Sequence, residues 1–166
     1  MAISAKDVMQ LRQKTGLGMM ECKKALTETD GDMDAAIELL RKTVGDKMNE
    51  RSDREAGEGA IAAVAQDGKA AIVQLLAETD FSAKSEAFIE GADQIAALAI
   101  DAPEGDVEPT DDIQAIVENL RLTIKENISI AAIKKITGEK TGKYVHHNRR
   151  MGVIIAGEGD LSDELL

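Results

Sequence analysis

Thiol and imidazole side chains are scarce in this chain of 166 residues: one cysteine, Cys22, and two adjacent histidines, His146 and His147. A hydrolase built from either histidine with Ser82, Ser85 or Asp80 needs those side chains within hydrogen-bond reach, which sequence spacing does not supply. The histidines fall in a stretch that reads as a strand, where neighbouring side chains point to opposite faces, so they are not expected to grip one metal ion together. No glycine-rich phosphate loop is present, and Thr15-Gly16-Leu17-Gly18 is too short to be one. Cys22 stands at helical spacing from Met19 and Leu26 and reads as a small buried hydrophobe. As the only cysteine it has no intrachain partner, which suits a reducing compartment. The expectation is a protein that is not an enzyme, with no cofactor and no metal.

What stands out instead is Thr79-Asp80-Phe81, at the junction between an apolar run (Ala70 to Leu76) and a segment of helical spacing (Ala87, Phe88, Ile89 through Ile95, Leu98 and Ala99). Phe81, Phe88 and Tyr144 are all the aromatic residues of the chain. Phe88 falls on the apolar stripe of the helix and belongs to a core. Phe81 sits between an acid and a serine where the backbone turns, and two readings remain open: a plug folded under the helix, or an aromatic wedge presented to a partner. Burial of such a ring in a partner is worth about 1.5–3 kcal/mol.

The elements that must position this turn follow from caps, glycines and periodicity. Residues 1–45 read as a three-helix domain, with Ser4 capping the first helix, Thr15 to Gly18 breaking it, and Asp32 capping a third that carries Ala36, Ile37 and Leu40 on one side. Residues 46–58 are charged, poor in large apolar residues, and read as a linker. Residues 59–157 read as an α+β domain: a hairpin about Asp67-Gly68, the Phe81 turn, a helix from about Ser82 to Ile100, a helix capped by Thr110, then strands Ile128 to Ile136 and Tyr144 to Ala156. The fold class is thus α+β, a small antiparallel sheet with helices on one face preceded by a helical head. Residues 158–166 read as the start of a further helix.

Charge narrows the partners. The net charge is −11, which argues against direct nucleic-acid binding, since that affinity comes from neutralising phosphates. The excess is local: residues 51 to 110 carry four bases and thirteen acids, whereas the flanking segments carry eight and nine each. Such a surface repels phosphates and keeps the chain in solution. No apolar run approaches about 18 residues, so no membrane partner is expected; with no leader pattern at the N-terminus, the expected location is cytoplasmic. Self-association as a homo-oligomer is left open.

Thr79-Asp80-Phe81-Ser82-Ala83-Lys84 resembles the T-D-F-V-A-[RK]-N signature of elongation factor Ts, the exchange factor of the GTPase elongation factor Tu. Leu11-Arg12-Gln13-Lys14-Thr15-Gly16-Leu17-Gly18-Met19-Met20-Glu21-Cys22-Lys23-Lys24-Ala25-Leu26 is similar to that family's N-terminal block almost residue for residue. Glu126-Asn127-Ile128 and Tyr144-Val145-His146-His147-Asn148-Arg149-Arg150-Met151-Gly152-Val153 follow in the family's order. The resemblance implies a ubiquitin-associated-like head, elongation factor Tu as partner, and contact residues Arg12, Met19, Met20, Thr79, Asp80, Phe81 and His146. It implies acceleration of GDP release by distortion of the partner's magnesium and phosphate site. Ser82 and Ser85 depart from the family's Val and Asn, Ser82 being suited to cap the next helix, and the linker is less lysine-rich than is usual. Family members continue into a coiled coil and a second subdomain, so residues 158–166 are expected to open a truncated helix. A reading from another class is a helical adaptor without exchange activity, which would not need an exposed Asp80-Phe81 pair.

Overall fold

A computed structural model describes residues 3–49 and 54–159. In chain order the elements are α1 (Ala5–Thr15), α2 (Met19–Glu28), α3 (Met33–Asn49), β1 (Glu58–Gln66), β2 (Lys69–Ala77), α4 (Asp80–Ala83), α5 (Glu86–Ala99), β3 (Gly105–Asp106), α6 (Asp111–Ile124), β4 (Ser129–Thr137), β5 (Lys140–Val145) and β6 (Gly152–Gly157). The chain divides into two compact units, residues 1–54 with 118–127, and residues 55–117 with 128–166. The further helix expected from residue 158 lies, beyond Gly159, outside the described residues.

In the helical unit, local chemistry sets the ends of the helices. The Ser4 hydroxyl accepts from the Asp7 amide while the Asp7 carboxylate accepts from the Ser4 amide, a reciprocal capping box. Gly16 closes α1 at φ 69°, a left-handed conformation open to glycine at little cost. The Asp32 carboxylate accepts from the amides of Asp34 and Ala35 at 3.0 Å and starts α3. The apolar stripes of the three helices then meet in a core of Val8, Leu11, Leu17, Cys22, Leu26, Ala36, Leu40 and Val44, joined by Leu122 of α6. Helix α3 runs on to Asn49, past residue 45 where the helical domain was expected to end.

The second unit is a mixed one, as its alternating and helical patterns implied. Its main sheet has the order β1-β2-β4-β3 with every pairing antiparallel. The hairpin turns at Asp67 and Gly68, both at positive φ (50° and 72°), the geometry of a two-residue turn whose twist matches the strands. Strands β5 and β6 form a separate two-stranded sheet. A Cβ on Gly152 would stand 2.8 Å from Ile61 and 3.4 Å from Ile72, so this ribbon covers one face of the β1–β2 hairpin. The buried Ala60, Ala62, Ala71, Val73 and Leu75 point the other way, toward α5 with its buried Phe88, Ala92, Ile95, Ala96 and Ala99.

Three expectations are corrected. The strand foreseen from Tyr144 to Ala156 is two strands joined by the loop 146–151, because the backbone reverses there: Arg149 donates its amide to the His146 carbonyl, and His146 its amide to Met151. The helix foreseen from about Ser82 to Ile100 is broken at Lys84 and Ser85, and Ser85, not Ser82, caps the longer part by accepting from the Phe88 amide. The loop after residue 100 contributes the short strand β3, paired to β4 at Lys134 and Lys135.

Candidate functional site

The Phe81 turn is built by hydrogen bonds at both ends of a single helical turn. Strand β2 ends at the fully buried Ala77. The Thr79 hydroxyl then accepts from the Ser82 amide at 3.2 Å and caps α4. Ala83 is buried and seats the turn, while Ser85 donates its hydroxyl to the Ser82 carbonyl at 2.7 Å and caps α5 in the same stroke. The chain is thus committed on both sides of Phe81, and the ring between them is 84% exposed. Phe88, one side of α5 later, is 0% exposed. Within this chain Phe81 is not the plug that one reading allowed.

Asp80 and Lys84 form an ion pair of 2.7 Å across one turn. This hydrogen bond from Lys84 is the main cause that holds the Asp80 carboxyl below the usual carboxylate range; the charge of Lys84, the Phe81 amide and the charge of Arg150 act in the same direction. Arg150 also pairs with Glu58 at the start of β1, whose register partner is Ala77. The loop that carries His146 and the turn that carries Phe81 therefore meet electrostatically at Arg150.

His146 opens the loop between β5 and β6. It shares a hydrogen bond of 2.8 Å between Nδ1 and the Tyr144 hydroxyl. The loop overturns the expectation that the two histidines face apart: their ring centroids lie 4.2 Å from each other. Together with Lys143, Tyr144, Asp93, Arg149 and Ala63 they line an open groove. Among the described residues no three His, Cys, Asp or Glu side chains are placed to hold a metal ion. The Ser85 hydroxyl is engaged in capping and His146 Nδ1 in the bond to Tyr144.

The remaining predicted contact residues belong to the helical unit. Arg12 is exposed in the last turn of α1, where its charge suits the negative end of the helix. Met19 and Met20 open α2 behind the Gly18 turn and are 43% and 76% exposed, so neither fills the core. Exposed methionines on a helix are soft, adaptable contact surface. Cys22, one turn on, is buried with its sulfur 3.7 Å from the Thr15 hydroxyl. The two arginines of the 146–151 loop were legible only as part of a motif; no periodicity or spacing singles them out as bridges.

Comparison with known proteins gives these positions a context. The sequence model described as Elongation factor TS matches residues 78–166. A protein of Teredinibacter turnerae called Elongation factor Ts is 45% identical over 161 residues, covering 93% of this chain and 55% of that protein. Proteins of the same name from Rhodopirellula baltica and Alkalilimnicola ehrlichii are 39% and 43% identical, over 98% and 96% of this chain and 52% and 58% of their own. The chain spans a little over half the length of the curated relatives it matches.

Proposed function

The chain belongs to the elongation factor Ts family, and from that premise we propose that it serves translation elongation as a guanine nucleotide exchange factor, binding the GTPase elongation factor Tu and speeding GDP release. The observation that carries the reading is the presentation of Phe81: a phenyl ring 84% exposed on a turn capped at both ends. An exposed aromatic gains by burial in a partner, and a fixed backbone lets that gain be spent on displacing the partner's side chains rather than on ordering its own. A helical adaptor that binds through its head alone has no use for such a ring.

In this account the helical head docks through Arg12, Met19 and Met20. Phe81 enters between helices of the partner near its magnesium and phosphate site, with Asp80 beside it, and His146 presses on the side of the phosphate loop. No bond is made or broken, and the chain is not an enzyme. The effect is one of linkage: a factor that binds the nucleotide-free GTPase more tightly than the GDP form weakens GDP binding by the same ratio. Exchange is then accelerated without any preference for GDP or GTP being built into the factor.

The test is to measure both sides of that linkage. Titration of the chain against elongation factor Tu, with and without saturating GDP, should give two dissociation constants whose ratio equals the loss of GDP affinity on saturation with the chain. Equal affinity for both forms refutes the reading and leaves the adaptor in its place.

A further inference from the structure

Arg149 holds a backbone conformation, φ 53°, that an L side chain seldom adopts, and no bond within the loop requires an arginine there. A glycine or asparagine would meet the turn at lower cost; the asparagine of this loop stands one residue earlier, where Asn148 accepts from the Arg150 amide. What the arginine adds is a fork. Its guanidinium donates to both oxygens of Asp93, at 2.7 and 3.1 Å, and Asp93 lies on α5, the helix that the Phe81 turn leads into. Its carbonyl accepts from the Ile61 amide at 2.7 Å, pinning the same loop to β1. Two parallel hydrogen bonds from a planar fork fix orientation as well as distance, which a lysine at this place would not do.

Resting on the exchange reading above, we propose that Arg149 and Asp93 are positioning residues: their paired contact locks the loop bearing His146 to the helix behind Phe81, so that the two act on a partner as one rigid fork. Neither needs to touch the partner. A partner loop pressed by His146 would otherwise push the 146–151 loop aside, and the work of binding would go into bending this chain instead of the GTPase. Unrelieved backbone strain at Arg149 is what the fold pays for that rigidity.

Three variants test this. Arg149→Gly removes the fork and the strain together, Arg149→Lys keeps the charge and the strain but loses the fork, and Asp93→Asn removes the acceptor charge. Each is assayed for release of a fluorescent GDP analogue from elongation factor Tu over a range of chain concentrations, and for amide hydrogen exchange at Ile61, His146 and Arg149. The saturating rate is expected to fall about tenfold, the order of loss that follows misplacement of a positioned group, with the half-saturating concentration moving less than about threefold. Exchange of the three amides should rise about tenfold or more in Arg149→Gly and Asp93→Asn while the melting temperature stays near that of the parent. A saturating rate unchanged in all three variants, or a loss that merely tracks a lowered melting temperature, overturns the proposal, as do amides that keep the parent's protection. If the parent chain itself does not speed release, the exchange reading fails with the role proposed for the clamp in it, and the amide measurement alone then decides whether the clamp holds the loop.

Discussion

Phe81→Ala removes a ring that touches little of its own chain. At 84% exposure the ring contributes almost nothing to the fold, and a change at such a site stays within about 0.5 kcal/mol of the parent's stability. For a chain of this size that is a shift of about 1–2 °C in melting temperature. The cost in the complex is of another order. A phenyl ring that passes from water into a closed site is worth about 1.5–3 kcal/mol, and if that energy is spent on opening the partner's nucleotide site it appears in the release rate, where each 1.36 kcal/mol is a factor of ten. The saturating rate of GDP release should therefore fall about 10- to 150-fold. Docking should suffer much less, since Arg12, Met19 and Met20 remain. Stopped-flow release of a fluorescent GDP analogue, run to saturation in the chain, separates the two terms. A variant with the parent's saturating rate and a raised half-saturating concentration would show that Phe81 is an ordinary contact and not a wedge.

The two phenylalanines should part company: Phe88→Ala, at a fully buried site, should destabilise the second unit by about 3–5 kcal/mol, read by chemical denaturation, whereas a loss of less than 1 kcal/mol would contradict the packing described. Asp80 has its carboxyl held low by Lys84, so the folded state favours the ionised form; the contribution of the pair is fully present above the ordinary value of 3.8 and is lost as the pH falls through the lower folded value. Carbon-detected NMR should accordingly show Asp80 titrating below the ordinary value of 3.8, and Lys84→Met should move it back up. Met20→Ala, at 76% exposure, should leave the melting temperature unchanged and weaken docking to the GTPase by about 1–2 kcal/mol in a binding titration, as expected of an anchor side chain; no change in affinity would remove Met20 from the contact surface.

Much of this architecture can be read from residues that act locally. Ser4, Asp32 and Thr110 are caps whose hydroxyl or carboxylate accepts from the amides that a helix start leaves free, and each does so here. Asp67-Gly68 between apolar runs is a hairpin for reasons of backbone twist alone. What escaped was decided by contacts, local and tertiary, that residue type alone does not rank. Tyr144 to Ala156 reads as one strand, but the chain turns back at 146–151, where the Arg149 amide donates to the His146 carbonyl and the His146 amide to the Met151 carbonyl, and where Arg149 ties the loop to Asp93 and Ile61. That turn places the two histidines side by side, against the expectation from strand alternation. Ser82 and Ser85 are equally good caps by type; Ser85 prevails because its hydroxyl reaches both the Ser82 carbonyl and the Phe88 amide. The exposure of Phe81 and of both methionines runs against the tendency of such side chains to be buried, and nothing in composition could have settled it. Thr79 to Phe81, Arg12, Met19, Met20 and His146 are candidates named from the family's motifs, whereas the pairing of Arg149 with Asp93 became visible only in three dimensions.

The central claim is that this chain drives nucleotide out of its partner, and release of a fluorescent GDP analogue from elongation factor Tu, with and without the chain of 166 residues, tests it most directly. The account predicts a release rate that rises with chain concentration and saturates. A release rate unchanged by the chain, whether or not the two proteins bind, would contradict it.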